Sequence, residues 1–385
     1  MPTETHETDL KPKLTEEAIE EARELIGTEL RTNKFGLRRR QSWNRTAAED
    51  NIRQYARGYG DDNPLYWDPE YAADTRWGKM KAPPTFLFSV DRTTVAPKLP
   101  GIQWIYGGTR FEFERPVFVD DVFHVSVVPT KVEVKEGRRS GKMVLQEGEV
   151  KYYNQDDELI CTAIGRCLRV PRSHDGSSSV GQDREEKYWT TEELKELEDK
   201  ILAQTRRGSE TRYWDTVSVG DKIDTRIKGP LGITDILSWY TGGGTPVYFP
   251  LELGVKERER HPSEAIRRED NGIIEHPAMG HLDKTVAGNV GIPRAYDVGF
   301  QRISYAMHPI TDWMGDDGMV KMCDVSIDGM NYVGDVLYCQ GEVTDTYIDE
   351  ESGEHLVDID LWGVNQDDER TVTGECTVEL LASSN

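Results

Sequence analysis

The chain of 385 residues repeats one order of predicted elements, and this repeat constrains its fold more than any other feature. Each half is predicted to begin with an acidic helix, at Thr15 and again at Thr191, followed by a strand, a short helix, a buried helix and a strand meander. The closest correspondence joins residues 149–158 to residues 358–369, since both stretches end in Asn-Gln-Asp-Asp-Glu. A unit of this length can bury a complete core, so the repeat predicts a duplicated domain rather than a solenoid.

Helix and strand patterns are mixed through both halves, which predicts an α+β protein of two tandem domains. We place the N-terminal domain at residues 1–170, a linker at residues 171–187 and the C-terminal domain at residues 188–385. The linker is rich in serine and glycine and loses all periodicity. Joining the two sheets edge to edge would remove exposed strand edges. Further strands are predicted at residues 37–45 and, in the last third, around 298–307, 318–327, 337–346, 355–362 and 371–381.

Composition and charge narrow the class of protein. With 36% hydrophobic and 30% charged residues, the chain has no apolar run long enough to span a bilayer, so we expect no membrane partner. A net charge of −23 argues against a nucleic-acid partner, although a local basic patch would suffice for an anionic ligand. The five scattered cysteines form no Cys-x-x-Cys pair and no zinc spacing occurs, which favours a cytoplasmic location and no metal.

One stretch of the first half places polar side chains where chemistry is expected. A helix pattern ends at Gly60, Asp61 follows at once, and Asn63-Pro64 then favours an extended turn because proline pushes its predecessor out of the helical region. This puts Asp61, Asn63 and the side chain of Tyr66 on a short irregular overhang. The competing interpretation is an ordinary surface turn in which Asp61 bonds to its own backbone.

This stretch resembles the signature of the MaoC-like, or type 2, enoyl-CoA hydratases and dehydratases of the hot-dog fold. That signature reads Gly-Asp-any-Asn-Pro-aliphatic-His and then places a small residue after five more. The resemblance implies two tandem hot-dog domains, each an antiparallel sheet around a central helix, paired into a homodimer that acts on an acyl-CoA thioester. It implies no cofactor beyond the CoA of the substrate. The matching residues are Gly60, Asp61, Asn63, Pro64, Leu65 and Ala72.

The family histidine is replaced by Tyr66 in this chain. By the resemblance, Asp61 activates the water, Asn63 orients the pair, and position 66 is the second catalytic group. A phenol with a pKa of about 10 is a poor base at neutral pH but a competent hydrogen-bond donor. Three outcomes stay open: Tyr66 acts in altered form, a histidine elsewhere replaces it, or this half is inert. The corresponding residues 241–248 of the second half lack both the aspartate and the histidine.

A second polar stretch, at residues 295–318, contains the fallback histidine. It resembles a stretch of long, two-domain members of the family that faces the substrate tunnel, and the competing interpretation is a hairpin loop with an edge strand. If it faces Asp61, then His308 and Asp297 are the first candidates for the missing partner. Substrate-binding residues expected on these grounds are Gly60, Pro64, Ala82, Thr85, Phe86, Asp297 and Arg302.

By the same resemblance, a backbone amide at the start of the buried helix holds the thioester oxygen. Residues 81–90 are predicted to be that long central helix, and residues 275–281 to be the corresponding helix start in the second half. Pro83 and Pro84 have no N–H, which leaves the amides of Ala82, Thr85 or Phe86.

The predicted activity is addition of water to a 2-enoyl-CoA, or its removal from a 3-hydroxyacyl-CoA, with Asp61 activating the water. Two alternatives are carried with it. The replacement of the histidine by Tyr66 would suit a non-catalytic acyl-CoA-binding subunit. A thioesterase on the same fold would use Asp61 to activate water against the carbonyl group.

Overall fold

The structure is a computed structural model that describes residues 14–31, 44–137, 141–171, 184–243, 248–262, 265–268, 270–289 and 291–383. Its helices are α1 (Glu16–Arg23), α2 (Glu49–Gly58), α3 (Pro69–Ala73), α4 (Thr191–Leu202), α5 (Ile233–Gly242), α6 (Leu251–Arg260), α7 (Lys284–Asn289) and α8 (Gly299–Met314). Short 3-10 helices span Pro64–Tyr66, Pro84–Ser89, Trp214–Thr216 and Pro277–His281. The strands are β1 (Gln103–Phe113), β2 (His124–Gly137), β3 (Gly141–Tyr153), β4 (Leu159–Val170), β5 (Lys222–Lys228), β6 (Ile266–Arg267), β7 (Ile274–Glu275), β8 (Met319–Ile327), β9 (Leu337–Ile348), β10 (His355–Asn365) and β11 (Arg370–Glu379).

The two acidic helices start as their sequences predict. The Thr15 side chain accepts a hydrogen bond from the amide of Ala18 and caps α1. Thr190 and Glu193 form a reciprocal capping box at the start of α4. The predicted strand at residues 37–45 lies mostly outside the described residues, as does most of the linker at residues 171–187, so the domain boundaries stay predictions.

Nine strands form one antiparallel sheet in the order β2-β3-β4-β1-β8-β11-β10-β9-β5. The first four belong to the N-terminal half and the last five to the C-terminal half. Strand β1 pairs with β8, from Gly108 opposite Ser326 to Glu112 opposite Met322, and this ladder joins the two halves edge to edge as predicted. The α+β class is therefore confirmed, and one continuous core lies on the inner face of the sheet.

Helix α8 lies at the centre of this core, where the sequence predicted a strand at residues 298–307. That prediction, and the alternative of a hairpin loop, are wrong. Every side chain from Phe300 to Met314 is buried, so no face of the helix is exposed to solvent, although Ser304, His308 and Asp312 recur every four residues along one face. Gly299 opens the helix and Pro309 lies inside it, and both are residue types that ordinarily interrupt a helix pattern.

The N-terminal half has a much shorter counterpart of α8. Pro84–Ser89 is a 3-10 helix of six residues, so the predicted long central helix at residues 81–90 is wrong. The equivalence rests on matching backbone hydrogen bonds: the Ala82 amide donates to Val117 at 2.9 Å, and the Asp297 amide donates to Asn331 at 3.0 Å. Position 82 therefore corresponds to position 297, and α8 packs against the 3-10 helix Pro84–Ser89.

The predicted second-half counterpart of this helix start, at residues 275–281, is also wrong. Pro277–His281 is a separate 3-10 helix, capped by the His276 side chain, which accepts from the Ala278 amide at 3.1 Å. The bridge of Lys81 with Phe118 in the first half is matched by the bridge of Tyr296 with Tyr332 in the second. The alignment from sequence failed because, in the second half, an additional segment that is absent from the first half precedes the start of the central helix.

Repeated turns confirm the duplication in detail. Asn154 accepts hydrogen bonds from the amides of Asp156 and Glu158, at 3.0 and 2.9 Å. Asn365 accepts from the amides of Asp367 and Glu369, at 2.9 and 3.0 Å. Asn154 and Asn365 also correspond in the sequence repeat, and they lie at the turns of two equivalent β-hairpins, β3–β4 and β10–β11.

No helix in the described part of the chain is both long and apolar enough to cross a membrane. Within the same residues, no group of three or more His, Cys, Asp or Glu side chains is arranged to hold a metal ion.

Candidate active site

The overhang after α2 forms as the sequence predicts. Gly60 adopts a φ of +74°, a left-handed conformation that glycine takes readily, and this turns the chain out of the helix. The Asn63 side chain then accepts from the Leu65 amide at 3.0 Å and caps the 3-10 helix that begins at Pro64. The result is a tight loop in which Asp61 lies between the turn at Gly60 and the cap formed by Asn63.

Asp61 is held in the interior rather than at the surface, with 1% of it exposed. Its Oδ1 accepts from the Asn63 amide at 2.9 Å and its Oδ2 accepts from the Tyr59 hydroxyl at 2.7 Å. The Trp67 indole donates to the Asp61 backbone oxygen at 2.8 Å. Burial raises the pKa of the Asp61 carboxyl above its ordinary value, against these hydrogen bonds and nearby cations that favour the anion. A buried carboxyl with a raised pKa is a frequent property of catalytic bases.

Helix α8 of the C-terminal half carries His308 to this carboxylate. The His308 Nε2 lies 3.6 Å from Asp61 Oδ1 and 3.3 Å from Asp312 Oδ2. His308 and Asp312 are four residues apart, so they share one face of the helix. Among the described residues, none accepts a well-aligned hydrogen bond from this buried Nε2. The imidazole therefore faces two carboxylates that come from different halves of the chain.

Three cations surround the imidazole and its neighbouring carboxylate. Lys228 Nζ lies 2.6 Å from His308 Nδ1, and Arg226 forms an ion pair with Asp312. Arg206 contacts a buried and an exposed carboxylate: its Nε lies 3.9 Å from Asp312, and its guanidinium forms an ion pair with the exposed Asp62. Burial first, and then these cations, hold the pKa of His308 well below its ordinary value. Burial and the charge of Asp61 raise the pKa of Asp312 to about 7.

Tyr66 is buried beside the same carboxylates, with 1% exposed. Burial and the negative charge of Asp61 raise its pKa well above 10, so its phenol stays protonated across the neutral range. Tyr66 can therefore donate a hydrogen bond but cannot act as a base there. Its assignment as the replacement for the family histidine stays a prediction, and the geometry favours His308 for that role.

The three candidate amides at the start of the short 3-10 helix are not equivalent. The Ala82 amide donates to Val117 and the Phe86 amide donates to Pro83, both at 2.9 Å. Within the described chain, no acceptor takes the amide of Thr85. Thr85 is 2% exposed. Among the three, Thr85 alone is left with a buried amide available to a ligand.

Two predicted substrate-binding residues lie elsewhere. Asp297 and Arg302 form a fully buried ion pair near the start of α8, and Asn331 donates to Asp297 at 3.0 Å. Arg302 also donates to the backbone oxygens of Gly329 and Thr371. These contacts fix the start of α8 to the sheet, so both charges serve the fold, and contact with substrate stays a prediction.

Several residues of this site have weak signals, or none, in the sequence. Lys228 and Arg226 lie at the end of β5, in a strand with no recognisable motif. Asp312 belonged to the polar stretch that was singled out, but its position four residues after His308 had meaning only once the stretch was known to be helical. The helical spacing of His308 and Asp312 is the one signal that a helix prediction would have revealed.

Comparison with known proteins agrees with this architecture. The family model described as "FAS1-like, dehydratase domain region" matches residues 35–163. A UPF0336 protein of Parafrankia sp. is 38% identical over 135 residues, which cover 32% of this chain and 85% of that relative. A solved structure of a MaoC-like dehydratase is 17% identical and superposes with a TM-score of 0.58 over 87% of this chain and 94% of its own.

A second solved structure specifies the fold. A conserved hypothetical protein of Mycobacterium tuberculosis, described as having a double hotdog fold, is 14% identical, with a TM-score of 0.50 over 87% of this chain and 92% of its own. The predicted tandem hot-dog architecture is thus confirmed. This chain belongs to the UPF0336 family, by its match to the Parafrankia relative, and it shares the fold of a MaoC-like dehydratase and of a double hot-dog protein.

Proposed function

We propose that this chain is a hydro-lyase that adds water to a 2-enoyl-CoA thioester, or removes it from the 3-hydroxyacyl-CoA. The observation that carries the proposal is the pairing of Asp61 from one half with His308 from the other, 3.6 Å apart in a buried site. Hydration needs a base for water and a second group that holds the water in place, and these two side chains supply both. No cofactor other than the CoA of the substrate takes part in this scheme.

Asp61 is the base in the proposed reaction. Its carboxylate takes a proton from water, while the Nε2–H of His308 donates to the water oxygen and orients it. The oxygen then bonds to the β-carbon, and the electron pair of the carbon–carbon double bond moves onto the thioester as an enolate. The protonated Asp61 returns its proton to the α-carbon, so that one water is added and both residues recover their starting forms.

The amide of Thr85 is the proposed donor to the enolate oxygen. Ser304 donates to the Thr85 hydroxyl at 3.0 Å, and the Tyr55 hydroxyl donates to the Thr85 backbone oxygen at 2.5 Å. Ser304 lies one turn before His308 on α8, about 6 Å along the helix axis. One face of α8 therefore contacts Thr85, which is proposed to hold the thioester oxygen, and carries His308, which is proposed to orient the water. A preorganised amide stabilises the negative charge that develops on the enolate oxygen.

The direct test is turnover of a panel of 2-enoyl-CoA thioesters (short, branched and aryl) by the wild-type chain and by Asp61→Asn. Asp62→Asn is the matched control, because Asp62 is the next residue and its side chain is 84% exposed. We expect water addition by wild type, a loss of about 100- to 10,000-fold in Asp61→Asn, and little change in the control.

Other outcomes would replace the proposal. Release of free thiol without hydration would identify a thioesterase. Binding of CoA esters with turnover at background for the whole panel would identify a non-catalytic binding subunit. Equal loss in both variants would show that Asp61 has no special role.

A further inference from the structure

The contact between Lys228 and His308 determines which imidazole nitrogen carries the proton. Lys228 Nζ lies 2.6 Å from Nδ1 of His308 and donates to the backbone oxygen of Tyr59 at 3.0 Å. It also lies 5.7 Å from the ring centre of Tyr59 and 5.2 Å from that of Tyr305, within the range of cation–π attraction. These contacts fix the ammonium group on one side of the imidazole.

An ammonium group has three donors and no acceptor, so Nδ1 must accept from it. A neutral imidazole that accepts at Nδ1 carries its hydrogen at Nε2. Nε2 is the atom that faces Asp61 and Asp312, at 3.6 and 3.3 Å. The lysine contact therefore turns the donor side of the ring towards the two carboxylates, where the water is held in the proposed reaction.

We propose that Lys228 is a positioning residue, which fixes the Nε2–H tautomer of His308 and keeps the imidazole neutral. The consequence for catalysis rests on the proposed hydratase function, whereas the tautomer itself does not. Lys228 acts from β5 of the C-terminal half, so this half supplies both the histidine and the group that orients it.

The charges around His308 agree with a neutral ring. Burial lowers the pKa of Lys228 only to about 8, so its ammonium form still predominates at pH 7. Lys228, Arg226 and Arg206 all lie near the imidazole, and their positive charges disfavour a further cation on the ring. The groups that face His308 are Lys228 and Arg226 from β5, Arg206, Asp312 from α8, Asp61 from the overhang, and the ring of Tyr59 at the end of α2.

The first experiment uses the full wild-type chain and needs no activity. Nitrogen-15 NMR of the histidine rings separates the two neutral tautomers, because a protonated and an unprotonated ring nitrogen resonate far apart. His308→Gln assigns the signal. We expect a neutral ring at pH 7 with hydrogen on Nε2. A ring with hydrogen on Nδ1, or a charged ring, would overturn the proposal.

The second experiment compares Lys228→Met with Lys222→Met. Lys222 lies in the same strand, but its side chain is 70% exposed and forms an ion pair with Glu342, far from the imidazole contact. In Lys228→Met, the Nε2–H tautomer should lose its dominance, and the pKa of His308 should rise because a neighbouring cation is gone. The control should leave both properties unchanged. Lys228→Gln provides a second, polar variant if the methionine variant folds poorly.

Kinetics then connect this role to the reaction. Partners that orient a histidine are typically worth about 10- to 100-fold, so kcat of Lys228→Met should fall by that factor with KM nearly unchanged. The acid limb of the pH profile of kcat should move to higher pH in Lys228→Met, because the imidazole of His308 becomes charged at a higher pH than in wild type. A fall in thermal stability without any change in tautomer or acid limb would overturn the proposal. A change in tautomer in a chain that hydrates no enoyl-CoA would support the positioning role and reject the proposed function.

Discussion

The two halves share a backbone plan, but each supplies different residues of the candidate site. The N-terminal half keeps the overhang with Asp61 and shortens its central helix to Pro84–Ser89. The C-terminal half keeps the long helix α8 with His308, and has no acid in residues 241–248, which correspond to the overhang. Each half has lost what the other retains, so the candidate site exists only where the two meet.

This division follows from the packing. One buried helix at the centre of a shared sheet can present side chains to both halves, because all of its faces are covered. Ser304 contacts Thr85, and His308 faces Asp61, both across the boundary between the halves.

Exchanging His308, the proposed second catalytic group, is expected to have the largest effect. His308→Gln should lower kcat about 100- to 10,000-fold, because the water loses its orienting donor. Tyr66→Phe, at the position of the family histidine, should stay within roughly 10-fold of wild type if the tyrosine only packs there. Steady-state kinetics on the best enoyl-CoA of the panel decides between them. A larger loss of kcat in Tyr66→Phe than in His308→Gln would instead assign the second catalytic role to Tyr66 of the N-terminal half.

The ion pair of Asp297 and Arg302 offers the next comparison, because the equivalent residues of the first half are apolar. Position 82, an alanine, corresponds to position 297, and Leu87, which follows it at the same sequence separation as Arg302 follows Asp297, is buried with no exposed surface. Removing one partner, as in Asp297→Ala, should cost about 3–5 kcal/mol of unfolding free energy, since the remaining charge is buried and unpaired.

The double variant Asp297→Ala with Arg302→Leu should be less destabilised than the sum of the two single variants. Denaturant unfolding monitored by circular dichroism measures all three. Strict additivity would show that the two charges do not depend on each other.

Helices α2 and α5 cross where Gly58 faces Gly242, and a side chain there should force the halves apart. A β-carbon on Gly242 would lie 2.3 Å from the Gln54 backbone oxygen and 2.8 Å from the Gly58 α-carbon. Gly242→Ala should destabilise the chain by about 1–3 kcal/mol. Gly288→Ala is the matched control, because nothing lies within 4 Å of its β-carbon and α7 gains helix propensity. A neutral result at Gly242 would contradict the close crossing.

The smallest effects are expected at the two repeated turns. Asn154 and Asn365 are both buried and each accepts two backbone amides. Replacing either with alanine should cost about 1–2 kcal/mol, by similar amounts, because the same hydrogen bonds are lost in each half. Thermal unfolding of the two variants side by side is sufficient. A large difference would show that the turns differ in their contribution despite equal geometry.

The sequence predicted most of the sheet and half of the site. The duplicated turns, the strand meanders and the Asp61 overhang carry local signals, since Asn, Gly and Pro specify turn geometry by themselves. Helix α8 departs from the pattern of a surface helix because it is buried on every side and contains Gly299 and Pro309, although Ser304, His308 and Asp312 recur at the helical spacing of four residues. Lys228 was missed because its role depends only on a contact between β5 and α8, and such contacts leave no trace in either segment.

The role of His308 was only partly predictable from the sequence. Its stretch was singled out for its polar residues, but its contact with Asp61 follows from the packing of α8 against the other half. Distances across the two halves are set by the tertiary fold, and no spacing along the chain encodes them.

The central claim is that Asp61 and His308 act as one unit across the two halves, and a double-mutant cycle tests it most directly. The measurement is kcat/KM of wild type, Asp61→Asn, His308→Gln and the double variant on one 2-enoyl-CoA. The account predicts that the double variant is no slower than the slower single variant, because either change already disables the unit. Losses that multiply, or a His308→Gln variant with full activity, would contradict it.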